Sequence, residues 1–303
     1  MLMVDAGDLL FKKYSGPVPE NELKMVTQKA QMIIEVLNLM GYDALGIGDD
    51  DLTLGKEFLV EISKKAKFPF LSSNLFDEAS GKPLFQPYLI KEIHGIKIGI
   101  FSLLSPDFLP GSTDPRRKGL VIRPPVETAT QMVKELQPRT DLILLLSHLG
   151  YIPDVELARK LSGIHIILGS HSPPMNLSNP QIIRDTVLLQ TASKGMYAGK
   201  MDLTFTQKES GFYNVSTKRS LESNLTNLKN RLTSPGLSET ERLQIQKSRE
   251  QAEKTLGEVQ EKNPFTNMIL PLNEIIKDHP DIQKMVDEYK SKYPEPVKPV
   301  PPK

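Results

Sequence analysis

Cysteine is absent from the 303 residues, which removes disulfides, thiolate metal ligands, cysteine nucleophiles and covalently attached c-type haem from consideration. Net charge is nearly absent as well. With 38 basic against 37 acidic side chains the balance is +1, so no overall field draws the chain to nucleic acid or to an anionic membrane. An anionic ligand has to be held by a local site. No apolar run approaches the roughly 18 residues of a membrane span. The opening residues Met1-Leu2-Met3-Val4-Asp5-Ala6-Gly7-Asp8 carry neither a basic n-region nor a cleavage site. They read as a core strand entering a loop, and a start inside a buried strand is the pattern expected of a truncated domain. The remaining composition, 39% apolar and 25% charged, is that of a soluble globular chain long enough for about two domains.

Up to about residue 216, short apolar runs alternate with amphipathic stretches, the signature of an α/β domain. Strands are expected at 2–8, 44–49, 69–74, 142–148, 165–171 and 187–193, and helices at 22–40, 56–66, 126–136 and 154–161. Two hairpins interrupt the order: 88–93 with 96–103 across His94-Gly95, and 200–206 with 212–218. A doubly wound parallel sheet would not need them, whereas two mixed sheets packed face to face between helical layers would. Residues 217–262 read as an antiparallel helical hairpin. Its seam is Leu221, Leu225, Leu228 and Leu232, then Ile245, Ala252, Leu256 and Val259, with a capping box at Ser238 and Glu241. A short helical segment fills 263–293, with a helix at 281–292, and the proline-rich stretch 294–303 reads as an extended linker or tail to a further module.

Two of the five histidines, His148 and His171, stand at the ends of strand-like runs. Asp8 follows the first strand, and Asp49-Asp50-Asp51 follows the second. In α/β sheets the carboxyl ends of strands are where loops converge and ligands bind. Four strand ends therefore offer two carboxylates and two imidazoles, a nitrogen and oxygen donor set suited to zinc, manganese or iron. Singly, each residue has an ordinary reading: an Asp after a strand is usually a turn or cap, and a strand-end His is more often hydrogen-bonded structure than a ligand. Together they point to a metal site. His94, in a hairpin turn, His165, within an apolar strand, and His279, before a proline, look structural.

The blocks Leu2 to Asp8, Met40 to Ala44 followed by Gly48, Ser73-Asn74-Leu75, Gly95 to Ile100, Leu146 to Gly150 and Ile167 to Ser172, closed by Gln190 to Ser193 and Gly199 to Leu203, resemble the successive blocks of the 5′-nucleotidase-like branch of the calcineurin-like metallophosphoesterases. The resemblance covers roughly residues 1–207. It implies a four-layer α/β/β/α sandwich of two mixed sheets over residues 1–216, with one strand preceding Met1. It also implies a hydrolase of small phosphate esters in which metal-activated water attacks phosphorus, the chemistry of nucleotide catabolism, in a family that is often exported. By matching position Asp8 would be the bridging carboxylate, and His148 and His171 metal ligands.

The departures from the family pattern narrow that expectation. Its GNH block reads Gly48-Asp49-Asp50 here, so Asp49 replaces an Asn ligand, and Asp50 replaces the His that assists phosphoryl transfer. An ionised carboxylate repels a phosphate dianion, which makes Asp50 a poor catalytic substitute. The second His of the GHxH block is Pro173, which has no donor atom. The expected cofactor is thus one divalent metal held by Asp8, Asp49, His148 and His171, with a second only if an upstream segment supplies ligands. The alternative is a catalytically degenerate domain that binds a metal or a partner. A thiosulfohydrolase branch of the superfamily also lacks the usual GNH block, so the change does not by itself mean inactivity.

Overall fold

The computed structural model describes residues 1–109, 111, 114–171, 179–191, 195–208, 210–259 and 262–294. A first sheet joins β1 (Val4–Asp5), β2 (Ala44–Gly46) and β3 (Phe70–Leu71), parallel throughout. An antiparallel pair, β4 (Leu75–Asp77) with β7 (Leu120–Ile122), is separate from it. The second sheet contains β5 (Tyr88–Ile93), β6 (Ile96–Leu104), β8 (Leu142–His148), β9 (Ile166–Gly169), β10 (Gln181–Ile183) and β11 (Thr186–Gln190), in the order β10-β11-β9-β8-β6-β5. Its inner strands are parallel and its two outer strands antiparallel.

The strand β8 shows why the layers stack as they do. Its apolar run is buried at every position, as a strand covered on both faces must be. Successive side chains point to opposite faces. Leu144 and Leu146 therefore meet Ala6, Ala44 and Leu71 of the first sheet. Ile143 and Leu145 face the helices α3 (Pro125–Leu136) and α4 (Tyr151–Lys160), through Met132, Leu136 and Leu157. On the far side, α1 (Glu20–Met40) and α2 (Gly55–Ser63) cover the first sheet, with Val26, Ala30, Ile34 and Leu37 forming the buried stripe of α1. Gly41, left-handed at φ 75°, ends α1 by returning its N–H to Leu37 O. Helix, sheet, sheet and helix are the expected four layers.

The expected hairpin of 200–206 with 212–218 is not formed. β12 (Tyr197–Leu203) and β13 (Phe212–Asn214) are both paired to β14 (Asn263–Pro271), which lies between them, antiparallel to the first and parallel to the second. Two causes are visible. The Asn214 side chain accepts from Ser216 N and starts the helix α5 (Val215–Leu232), so no strand continues to 218. Asn263, fully buried, then fixes β14 in place. Its Oδ1 accepts from Thr206 N, Thr206 Oγ1 and Gln207 N at 2.7–3.1 Å, while its Nδ2 donates to Gln207 O and Ser210 O. β14 opens on Asn-Pro and closes on a second proline, and it occupies the first part of 263–293, where a short helical segment was expected: its two prolines disfavour a helix, and a strand forms instead.

Between β13 and β14, α5 and α6 (Glu239–Val259) pack on each other through Leu228, Ile245 and Ala252. Ser238 and Glu241 form the reciprocal capping box. The last helix, α7 (Pro280–Lys292), returns to α1, where Tyr289 Oη donates to Met25 O. The proline-rich stretch lies outside the described residues from 295 onward.

Asn263→Ala should lower stability by about 2–4 kcal/mol, because it orphans several enclosed polar groups at about 1–3 kcal/mol each. Urea unfolding measures this, and a loss below about 0.5 kcal/mol would show that the pin is not needed.

Candidate metal centre

Two loops meet at the carboxyl ends of β1 and β2, and glycine lets them touch. A Cβ on Gly7, at φ 102°, would lie 2.2 Å from Gly48 N, and a Cβ on Gly48 would lie 2.2 Å from Asp8 Oδ1. Asp51 fastens the contact. Its carboxylate, wholly buried, accepts from Gly48 N, Asp8 N, Leu9 N and Leu10 N at 2.9–3.1 Å. Burial and the neighbouring Asp8 charge push Asp51 up to about 7, against the pull of these N–H donors. Asp8 Oδ1 in turn accepts from Asp50 N at 2.8 Å. Asp8 itself sits at φ 62°, a left-handed backbone rare outside glycine, and His171 sits at φ 70°. Both strained residues belong to the site.

The ends of β8 and β9 bring the imidazoles. His148, fully buried, places Nδ1 3.0 Å from Ala6 O and 2.7 Å from Ser170 Oγ. That holds the ring so that Nε2 faces Asp8 Oδ2 and Asp49 Oδ1, both at 3.2 Å. His171 Nδ1 lies 3.2 Å from Asp49 Oδ1, 4.0 Å from Asp8 Oδ2 and 3.3 Å from His148 Nε2. One donor atom from each of Asp8, Asp49, His148 and His171 falls within 4.8 Å of all the others. All four residues singled out from the sequence thus converge on one point.

The electrostatics are those of an anionic pocket that wants a cation. Burial alone would lower the His148 pKa, but hydrogen bonds to Asp49 and Asp8 outweigh it and raise it to about 10. Burial would raise Asp49, yet the two imidazoles hold it well below the usual carboxylate range. Burial, then the charges of Asp8 and Asp49, push Asp50 up to about 6, with Arg116 pulling the other way. The donor set fits a divalent metal: two carboxylate oxygens and two ring nitrogens, one of them with its far nitrogen anchored as metal-binding histidines require.

Asp50, the residue at the family's catalytic position, turns away from this point. Its Oδ1 lies 3.2 Å from Arg116 Nη1, which also donates to Asp49 Oδ2 at 2.7 Å. Pro173 lies outside the described residues. Sequence reasoning missed four contributors. Arg116 is joined to Asp49 across 67 residues, and no local pattern reveals such a pairing. Phe108 stacks on His171 with ring centroids 3.4 Å apart and meets His148 edge-on, closing one wall. Asp51 directly follows Asp49-Asp50 and Ser170 directly precedes His171, and that adjacency was the available signal.

No family model matches the chain. Among curated proteins it is similar to the 5′-nucleotidase of Vibrio cholerae, 29% identical over an alignment of 259 residues, with 74% of this chain and 45% of that protein covered. Among solved structures it is similar to the sulfate thiohydrolase SoxB of Thermus thermophilus, with a TM-score of 0.68 at 17% identity, covering 96% of this chain and 43% of that one. It is also similar to the calcineurin-like phosphoesterase YfkN of Bacillus subtilis, with a TM-score of 0.64 at 18% identity, covering 96% of this chain and 83% of that one. The likeness to these two structures shows the fold, that of the calcineurin-like phosphoesterases. The chain spans less than half the length of the Vibrio nucleotidase it matches.

Asp51→Ala should cost about 3 kcal/mol or more, since four N–H groups in two loops lose their acceptor. Thermal unfolding with and without manganese tests it. A variant as stable as the parent would remove Asp51 from its place as the clamp.

Proposed function

We propose that the chain is a metal-dependent hydrolase of phosphate esters, with one divalent cation held by Asp8, Asp49, His148 and His171. The observation that supports this most is the convergence of four donor atoms from four strand ends within 4.8 Å. A bound cation would supply Lewis acidity toward a phosphoryl oxygen and lower the pKa of a water. The chain's own part is to hold the donors still. Ala6 O and Ser170 Oγ orient His148, the clamp at Asp51 sets the distance between Asp8 and Asp49, and Phe108 fixes the His171 ring and keeps water from its face. Because the Vibrio cholerae protein it is similar to is a 5′-nucleotidase, a nucleoside monophosphate is the substrate to test first.

A second reading, a domain that binds the cation without turnover, is favoured by one feature. Asp50 is ion-paired to Arg116 and offers no positive hydrogen-bond donor to a phosphoryl oxygen.

Phosphate release from an aryl phosphate and from a nucleoside monophosphate, assayed with manganese, zinc and iron, separates the two readings. Hydrolysis is expected to fall by at least about 100-fold in His148→Ala and Asp8→Ala, more than the loss typical of residues that only support a ligand. Metal binding without release in the parent chain would leave the binding module.

Metal and proton should compete for His148. Below a pKa of about 10 the ring is protonated in the metal-free protein, and a ligating nitrogen must shed its proton. Apparent metal affinity is therefore expected to rise by up to about tenfold per unit between pH 6 and 8, with one proton released. Calorimetry in buffers of different ionisation enthalpy reads the proton count, and a count of zero would contradict ligation by His148.

A further inference from the structure

Arg116 is the side chain at the centre that neither the sequence pattern nor the proposed chemistry accounts for. A guanidinium carries five N–H donors in a planar fork. Here Nε and Nη2 grip Asp114 at 3.2 and 2.9 Å, Nη1 donates to Asp49 Oδ2 at 2.7 Å and to Asp50 Oδ1 at 3.2 Å, and Nη2 also donates to Phe108 O at 3.1 Å. The donor capacity is used up within the chain, so this arginine is not waiting for a substrate anion. Its bond to Asp49 takes the oxygen opposite the one that faces His148 and His171. A single carboxylate therefore has two cation-facing sides.

We propose that Arg116 is a built-in cation on the second side, which limits the centre to one divalent ion and fixes Asp49 as a one-oxygen ligand. The proposal rests on the cation site argued above and adds what controls its stoichiometry. Three carboxylates, Asp49, Asp50 and Asp114, surround the guanidinium, and their side chains are exposed by only 3%, 11% and 12%. Lys13 acts on Asp50 without an ion pair among the described residues, so the short-range counter-charge comes from Arg116. A divalent ion on these oxygens would share them with a guanidinium at hydrogen-bond range, where like charges repel strongly. The arginine is also held against displacement. Asp114 both grips its fork and accepts from Arg116 N at the start of the turn Pro115–Arg117. Remove the guanidinium, and three oxygen donors of the kind hard cations take lose their counter-charge.

Manganese titration followed by calorimetry and electron paramagnetic resonance tests this on the parent chain, Arg116→Met and Arg116→Lys. The parent is expected to take up one equivalent, with the six-line spectrum of an isolated ion. Arg116→Met is expected to take up a second equivalent and give a broadened, spin-coupled signal, while Arg116→Lys, which keeps the charge, stays at one. A single equivalent in Arg116→Met at unchanged affinity, or two equivalents in the parent, overturns the proposal. If Arg116→Met does not fold without metal, the parent spectrum at saturating manganese decides, a coupled pair against the proposal and an isolated ion for it. Failure of the parent to bind any manganese, zinc or iron counts against the cation centre itself, and the proposal falls with it.

Discussion

Four backbone N–H groups from two separate loops end on the carboxylate of Asp51, and the site depends on that convergence. The loops after β1 and β2 come from strands nearly forty residues apart in the chain, and neither has a regular hydrogen-bond ladder to hold it. Buried N–H groups without acceptors would be costly. One carboxylate satisfies four of them, and glycine at positions 7 and 48 gives the loops the room to close on it. With those loops fixed, Asp8 and Asp49 face the histidines that the second sheet delivers from β8 and β9. The convergence of the four donor groups is thus a consequence of how two sheets are fastened at one edge.

Charge balance is the second organising constraint. Asp8, Asp49, Asp50 and Asp114 bring four carboxylates into one corner, and the chain answers with a guanidinium and with an imidazole whose pKa is raised to about 10. A fully buried imidazolium is an expensive counter-ion. In the proposed metal-bound form the cation would take the place of that proton. The Asp50 carboxylate, at the position where the family resemblance places a histidine, is a partner of Arg116.

Much of this was legible beforehand. The continuous apolar run of β8 and the stripe of α1 marked the layers, and the strand ends bearing Asp8, Asp49, His148 and His171 marked four residues that the fold brings within 4.8 Å of one another, because both signals are local. What the sequence hid was long-range. β14 pairs with strands about fifty to seventy residues earlier and opens on a helix-breaking, turn-like Asn-Pro, so its strand character comes from the partners and from the buried Asn263. Arg116 and Phe108 sit in irregular turns whose side chains acquire meaning only once the fold has brought them to the histidines.

The central claim is that one divalent cation belongs between Asp8, Asp49, His148 and His171. Anomalous X-ray scattering from crystals grown with zinc or manganese locates such an ion directly. The account predicts a single peak at about 2.0–2.3 Å from the facing oxygens and nitrogens of these four residues. A peak elsewhere, or none at this position in a metal-saturated crystal, would contradict it.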